Sequence, residues 1–279
     1  MANVLLTGAA GAIGMDLAFS LNQAKINVFA TEADLDNFFL VSKSCKYYNK
    51  VFQAPRAGSQ EYINRINEII TKENIDIVIP NPDFEVGFIS KIREQIKSPL
   101  FLPSHETVEI LLSKSLTAQK IGDLAPKTFE VSNEADLRLA ISSEKVVWLR
   151  PKTGAGGKGS LIVSDSKFGW MWIEYWKKRG FSSSWIAQEY LDGGNYNVTL
   201  IYDRNSNLCG MGMLERLGYI HEAISPTGVT GDVRMAKTIK LDNVVNIAKN
   251  AVNMIDKNLS LIHISEPTRR RGISYAVFC

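Results

Sequence analysis

Residues 148–165, WLRPKTGAGGKGSLIVSD, hold Gly154, Gly156, Gly157 and Gly159 among the cations Arg150, Lys152 and Lys158. Glycines interleaved with cations leave backbone N–H groups open to an anion, and phosphate binding is the chemistry that needs such an arrangement. A P-loop is one solution, but its pattern G-x-x-x-x-G-K-[ST] fails here. Gly157-Lys158 is followed by Gly159, and Lys152 stands five positions before Gly157. The flanking runs KVVWLRPK and GSLIVSD both read as strands, so the loop joins strand to strand, whereas a P-loop joins strand to helix.

A second glycine group, Gly8, Gly11 and Gly14, has the spacing of a dinucleotide fingerprint, with acidic Glu32 at the end of the next apolar run. It offers an NAD(P)-dependent epimerase or reductase of the short-chain type as an alternative function, or else a plain strand-to-helix turn. The catalytic Tyr-x-x-x-Lys of that enzyme type is absent: Tyr175 comes nearest, with Arg179 four residues on. His105, His221 and His263, and Cys45, Cys209 and Cys279, lack the spacing of a zinc site or a disulfide framework.

The elements that must carry these groups follow from pattern. Val4–Leu6, INVFATE, KVFQAP, IDIVIPN and PLFLP read as strands. Helical stretches separate them: one with Ile13, Leu17 and Leu21 at helical spacing, another capped by Ser59 with Ile63, Ile66, Ile69 and Ile70 as its stripe. Alternation of this kind predicts a parallel, doubly wound α/β domain over residues 1–103. Further on, Ser104 is an N-cap candidate, and NVTLIYDRNSNLCGMGMLERL reads as a hairpin turning at Asp203 to Asn207. FGWMWIEYWKKRGF is a helix with Phe168, Trp172, Tyr175 and Trp176 on one face, expected to be core. In LDNVVNIAKNAVNMIDKN a helix buries Val244, Ile247, Val252 and Ile255.

A glycine-rich strand-loop-strand following a Rossmann-like domain resembles the ATP-grasp superfamily, in particular its carbamoyl-phosphate-synthetase-like branch. WLRPKTGAGGKGSLIV is similar to the phosphate loop of that branch, IAQEYLDGGNYNVTLIYD to its hinge, and LLSKSLTAQKIGDLAPKTFEV to the block that precedes both. The three stand in the family's order. The resemblance implies an α/β Rossmann-like pre-ATP-grasp domain at 1–103, then an α+β ATP-grasp domain. The latter has an N-terminal subdomain at 104–188 and an incomplete C-terminal subdomain at 189–258. It implies ATP and Mg²⁺, with small-molecule carboxylate and amine substrates joined through an acyl phosphate. Lys114 (with Lys120 as rival) and Arg150 match the cations that hold phosphates. Gly154, Gly156, Gly157 and Gly159 match the loop that closes over them, and Lys158 is a further phosphate candidate. Glu189, Tyr190 and Leu191 match the adenine-reading hinge. Asn195 stands where the family usually has a ribose-binding glutamate; it can hydrogen-bond a hydroxyl without the strength of a carboxylate. Glu215, His221 and Arg234 are the polar candidates near the γ-phosphate and the acceptor. A non-catalytic nucleotide-binding protein is the third class.

Residues 259–279, LSLIHISEPTRRRGISYAVFC, resemble a translated sequencing-library adapter. Adapter bases in one frame read Leu259 through Arg269, an index segment fills Arg270 to Gly272, and further adapter bases read Ile273 through Cys279. The expectation is a natural frame interrupted near Asn258, before the family's metal-bearing acidic strand and Glu-x-Asn strand. Those ligands would lie beyond Asn258, leaving a chain that at most binds nucleotide. The tail holds three of the 32 basic and one of the 29 acidic residues, so without it 29 oppose 28 and the net charge is +1 instead of +3. The slightly basic balance of the whole chain therefore says nothing about nucleic acid. No apolar run approaches the ~18 residues of a membrane span, and the start, MANVLLTGAAG, has no basic leader. A cytoplasmic protein without membrane or nucleic-acid partners is expected; the sequence is silent on oligomeric state.

Overall fold

The computed structural model describes residues 1–203 and 205–257, and the backbone of three further strands, His263–Arg269, Gly272–Ile273 and Val277–Phe278. The chain divides into two compact units, with the boundary between Val108 and Glu109.

The first unit runs β1 (Asn3–Thr7), α1 (Ala12–Gln23), β2 (Asn27–Glu32), α2 (Leu35–Ser44), β3 (Lys50–Gln53), α3 (Gln60–Lys72), β4 (Ile77–Ile79) and α4 (Asp83–Lys91). Its sheet is parallel, in the order β3-β2-β1-β4, with Val4 opposite Val28 on one side and Ile77 on the other. Val4, Leu5 and Leu6 are all buried, as a central strand covered on both faces requires. Ser59 caps α3 by accepting from Tyr62 N, and Ile63, Ile66, Ile69 and Ile70 form its buried row. Two expectations are corrected. PLFLP is no strand: Leu100 makes a single parallel bridge to Val78, because Pro99 and Pro103 have no N–H to extend a ladder. In α1 the fully buried residues are Gly14 and Ala18, Leu17 and Leu21 pack partly against the core, and Ile13 is exposed. A Cβ on Gly14 would lie 2.7 Å from the Gly8 carbonyl oxygen, so α1 approaches β1 through its small residues.

The second unit contains α6 (Lys114–Ile121), which follows α5 (His105–Leu112), then β5 (Thr128–Val131), α7 (Glu134–Glu144), β6 (Val147–Pro151), β7 (Leu161–Val163), α8 (Ser166–Lys178) and β8 (Trp185–Glu189). β5-β8-β6-β7 form an antiparallel sheet. Its strands alternate. Val147, Leu149, Val163 and Ala187 join Leu137 and Ala140 of α7 and Ile173 of α8 in one core. Each large aliphatic side chain buried there contributes roughly 1.5–3 kcal/mol. Trp148 and Arg150, between the core residues of β6, therefore point to the opposite face of the sheet. A second sheet holds β9 (Asn195–Tyr202), β10 (Leu208–Tyr219) and β11 (Val233–Thr238), and α9 (Asp242–Ile255) follows. The hairpin between β9 and β10 closes on Asp203, whose carboxylate accepts from Asn205 N and Asn207 N.

Two helical faces differ from expectation. α8 packs through Gly169 and Ile173, where a Cβ on Gly169 would stand 2.6 Å from Leu137 Cδ2 of α7 and 2.9 Å from Val163 Cγ1 of β7. That close approach turns the aromatic stripe to the side: Phe168 and Tyr175 are 56% and 48% exposed, and Trp172 and Trp176 are half-buried. In α9 the buried row is Val245, Ala248, Ala251, Val252 and Ile255; Val244 and Ile247 flank it, because two alanines admit a closer neighbour than two branched residues would.

Of the adapter-like tail, the backbone of β12 (His263–Arg269) pairs antiparallel with β9, His263 opposite Ile201 and Thr268 opposite Tyr196. The side chains of the tail, and residues 258–262, 270, 271, 274–276 and 279, lie outside the described residues. So does the position of the metal ligands expected beyond Asn258.

Candidate functional site

The loop between β6 and β7 carries the phosphate-binding candidates. Gly154, Gly156, Gly157 and Gly159 all have positive φ, between +70° and +96°. At Gly157 the requirement is also steric: a Cβ there would sit 2.9 Å from the Val229 carbonyl oxygen, so the loop lies directly against residues 229–231. Ser160 N donates to Gly157 O at 3.0 Å, and the Trp172 indole N–H donates to Gly159 O at 2.8 Å, which fixes the loop's outgoing end to α8.

Lys114 begins α6, capped by Ser113. Its backbone N–H donates to Lys152 O at 3.0 Å and its Nζ to Gly154 O at 2.5 Å, so the ammonium is held at the glycine loop. Lys120, the rival, is exposed in the last turn of the same helix. Arg150 donates from Nε to Gln188 Oε1 at 2.7 Å, and Gln188 in turn donates from Nε2 to Thr128 Oγ1 at 2.7 Å. Gln188 is 1% exposed, so this relay orients the guanidinium from a rigid base, on the face of the sheet opposite the α7 and α8 core. On that face Trp148 stacks on Tyr190, centroids 6.2 Å apart and planes 8° from parallel. Sequence reasoning missed Trp148, Thr128 and Gln188. The strict alternation Val147-Trp148-Leu149-Arg150 was the signal that could have found Trp148 beside Arg150.

Lys158 is elsewhere. Its Nζ lies 5.3 Å from the Phe181 ring centroid and 5.8 Å from that of Trp176, on the α8 side of the loop and apart from Lys114.

At the hinge, Glu189 N donates to Lys127 O at 2.9 Å, and the Glu189 carboxylate accepts from Lys127 N at 3.4 Å. Tyr190 N donates to Val146 O, and Leu191 is buried. Asn195 opens β9 opposite Arg216, and its Oδ1 is buried without a hydrogen-bond donor among the described residues. A buried acceptor left in that state costs about 1–3 kcal/mol, and a hydroxyl would relieve it.

Glu215 on β10 pairs with Tyr196 and Lys237 across the sheet. Arg234 donates to Glu222 Oε1 at 2.9 Å, and the other Glu222 oxygen accepts from Tyr219 N at 2.8 Å. That backbone N–H, and then Arg234, hold the Glu222 carboxyl below the usual carboxylate range. Arg234 is thus committed to an exposed ion pair, and the structure does not bring it together with Glu215. His221 takes a left-handed conformation, φ +61°, and lines a cleft of about 410 Å³ with residues 156–160 of the glycine loop and one side of α8. Among the described residues no group of three or more His, Cys, Asp and Glu is placed to hold a metal ion.

The other glycine group serves its own unit. Glu32 accepts from the N–H groups of Ala10 at 3.0 Å, Ala33 at 3.0 Å and Asp34 at 3.1 Å, so both of its oxygens are engaged. Pro82 covers Gly8, where a Cβ would meet Pro82 Cγ at 2.4 Å, and Tyr48 donates to Ala9 O at 2.8 Å. The carboxylate that would take a ribose is spent on the turn itself.

No protein-family model and no curated protein sequence matches this chain. Solved structures do. N5-carboxyaminoimidazole synthetase from Staphylococcus aureus aligns over 99% of this chain and 69% of its own, at 14% identity and a TM-score of 0.67. L-amino acid ligase from Bacillus licheniformis aligns over 100% and 66%, at 13% and 0.66. Biotin carboxylase from Campylobacter jejuni, solved as a beta-gamma-ATP complex, aligns over 99% and 64%, at 16% and 0.68. The chain therefore spans about two thirds of the length of each. No helix among the described residues is long and apolar enough to cross a membrane.

Proposed function

We propose, from the premise that this chain has the ATP-grasp fold, that its second unit binds ATP and that the activity built on this site is ATP-dependent ligation of a carboxylate to an amine. The observation that carries the reading is the Lys114 ammonium held 2.5 Å from Gly154 O, at a loop whose four glycines all have positive φ. Arg150 stands on the face of the sheet that bears this loop opposite the α7 and α8 core. A cation about 4 Å from a phosphate oxygen contributes roughly 4 kcal/mol before desolvation at an effective dielectric near 20. Lys114 and Arg150 are two such charges. The flat pair Trp148–Tyr190 offers a ring surface beside them, and the orphaned Asn195 Oδ1 accepts from a sugar hydroxyl.

In the proposed reaction a substrate carboxylate oxygen attacks the γ-phosphorus while the bond to the β-phosphate oxygen breaks, giving acyl phosphate and ADP. An amine nitrogen then attacks the acyl carbon, loses a proton, and phosphate leaves. This chain's residues hold and neutralise the phosphates and close the glycine loop over them, which excludes water from the acyl phosphate. Among the described residues no group of three or more His, Cys, Asp and Glu is placed to hold a metal ion, and no step is drawn through one. Nucleotide binding is the part of this activity proposed for the described residues themselves.

Calorimetric titration with ATP, ADP and NADP⁺ tests it, together with an assay of carboxylate-dependent ADP release. Binding of ATP and ADP without NADP⁺ is expected. Binding of NADP⁺ without ATP would overturn the reading in favour of a nicotinamide enzyme, and ATP binding without carboxylate-dependent ADP release would refute the ligase activity.

A further inference from the structure

The cleft beside the glycine loop is chemically distinct from the surface that carries Arg150. Trp172, Tyr175 and Trp176 of α8 form one wall, residues 221–230 face them, and the backbone of residues 156–160 completes it. Its volume of about 410 Å³ lies in the range of small-molecule sites. Tyr175 is half-exposed at the cleft, so a large aromatic surface is available to a ligand. Among the described residues no Asp or Glu lines the cleft, and Lys158 is its one Lys or Arg. The Lys158 ammonium lies against the Phe181 and Trp176 rings, with no carboxylate within salt-bridge distance among the described residues.

Aromatic walls, a single lysine and, among the described residues, no acid together select a flat ring bearing one negative charge. We propose that this cleft binds an aromatic carboxylic acid: the ring packs against Trp172, Tyr175 and Trp176, and the carboxylate meets Lys158. The charge count argues against a nucleotide in the cleft, since a polyphosphate would face one cation there and two at Lys114 and Arg150. The glycine loop lines the cleft as well as carrying the phosphate-binding candidates. Resting on the ligase reading above, the bound acid is then the class of carboxylate to be activated.

The probe is phenylacetate, titrated calorimetrically into the full chain, with neutral phenylacetamide as control and ADP as competitor. Phenylacetate is expected to bind at submillimolar concentration. Phenylacetamide, and phenylacetate with the Lys158→Met variant, are expected to bind about tenfold more weakly, as loss of one charge-assisted contact implies. Lys158 is exposed on a loop, so the variant should fold, and circular dichroism checks this. The cleft assignment is overturned by any of three results: no phenylacetate binding, equal binding of the amide, or displacement by ADP. ADP titration of the same preparation separates the two proposals. Acid binding lost with ADP binding kept overturns the cleft alone, whereas ADP binding lost with acid binding kept removes the acid's role as substrate.

Discussion

Replacing Arg150 by methionine removes a structural interaction and a proposed functional one, and the magnitudes of these two can be separated. The first is structural: Nε donates to Gln188 Oε1 at 2.7 Å, a part-buried bond. A hydrogen bond of this sort contributes about 0.5–1.5 kcal/mol net, which in a domain of this size lowers Tm by about 2–6 °C. The second is functional: a guanidinium about 4 Å from a phosphate contributes ~4 kcal/mol at an effective dielectric near 20. Arg150 is only half-buried, so screening and lost hydration remove roughly half of that. About 2 kcal/mol remains, equivalent to a loss of roughly 30-fold in ADP affinity. Arg150→Lys keeps the charge without the planar fork and should fall between wild type and Arg150→Met. Calorimetric titration with ADP reads affinity, and a thermal melt reads the structural part. A folded Arg150→Met protein that binds ADP within threefold of wild type would refute the placement of phosphates at this face.

Two further perturbations test the fold. Gly169→Ala sets a helix-propensity gain of about 1 kcal/mol against an overpacking cost of about 1–3 kcal/mol. The added Cβ would stand 2.6 Å from Leu137 Cδ2 and 2.9 Å from Val163 Cγ1 in a closed core. The cost should win, and a melt that rises instead contradicts the packing of α8. Glu85 is buried, and Tyr62 donates to its Oε2 at 2.5 Å. Burial pushes its carboxyl above the ordinary value of 4.5, with Glu32 adding to the rise, against opposing hydrogen bonds from Tyr62 and Thr7. The folded state therefore holds this proton more tightly than the unfolded chain, so the contribution of Glu85 to stability is greatest below about pH 4.5 and declines as pH rises toward its raised value. Glu85→Gln should flatten that part of a stability-against-pH curve measured by denaturant melts, and an unchanged slope would exclude Glu85 as its source.

Local pattern made the order of elements readable. Alternating apolar runs and helical stripes placed the parallel sheet of the first unit, and Ser59, Ser104 and Asp203 act where their types predict a cap or a turn. Spacing alone misjudged the two faces that depend on how closely a helix may approach. Gly169 in α8, and Ala248 with Ala251 in α9, carry no bulk, so the apolar-stripe reading passed over the residues through which these helices make contact. Pro99 and Pro103 announced the end of a ladder that the apolar run between them concealed.

For the candidate site, the sequence by itself determined the kind of chemistry: glycines among cations on a strand-loop-strand bind phosphate because only such residues keep N–H groups bare beside positive charge. It determined as well that Arg150 and Trp148 share a face, since a strand alternates with period two. What each lysine does was decided only by tertiary structure. Lys114 and Lys120 lie on one helix, yet only Lys114 is in reach of Gly154 O, and Lys158, inside the glycine motif, is drawn to the rings of Phe181 and Trp176. Long flexible side chains carry their charge to whatever the fold sets within several ångströms of their Cα atoms, and no spacing along the chain encodes that neighbour.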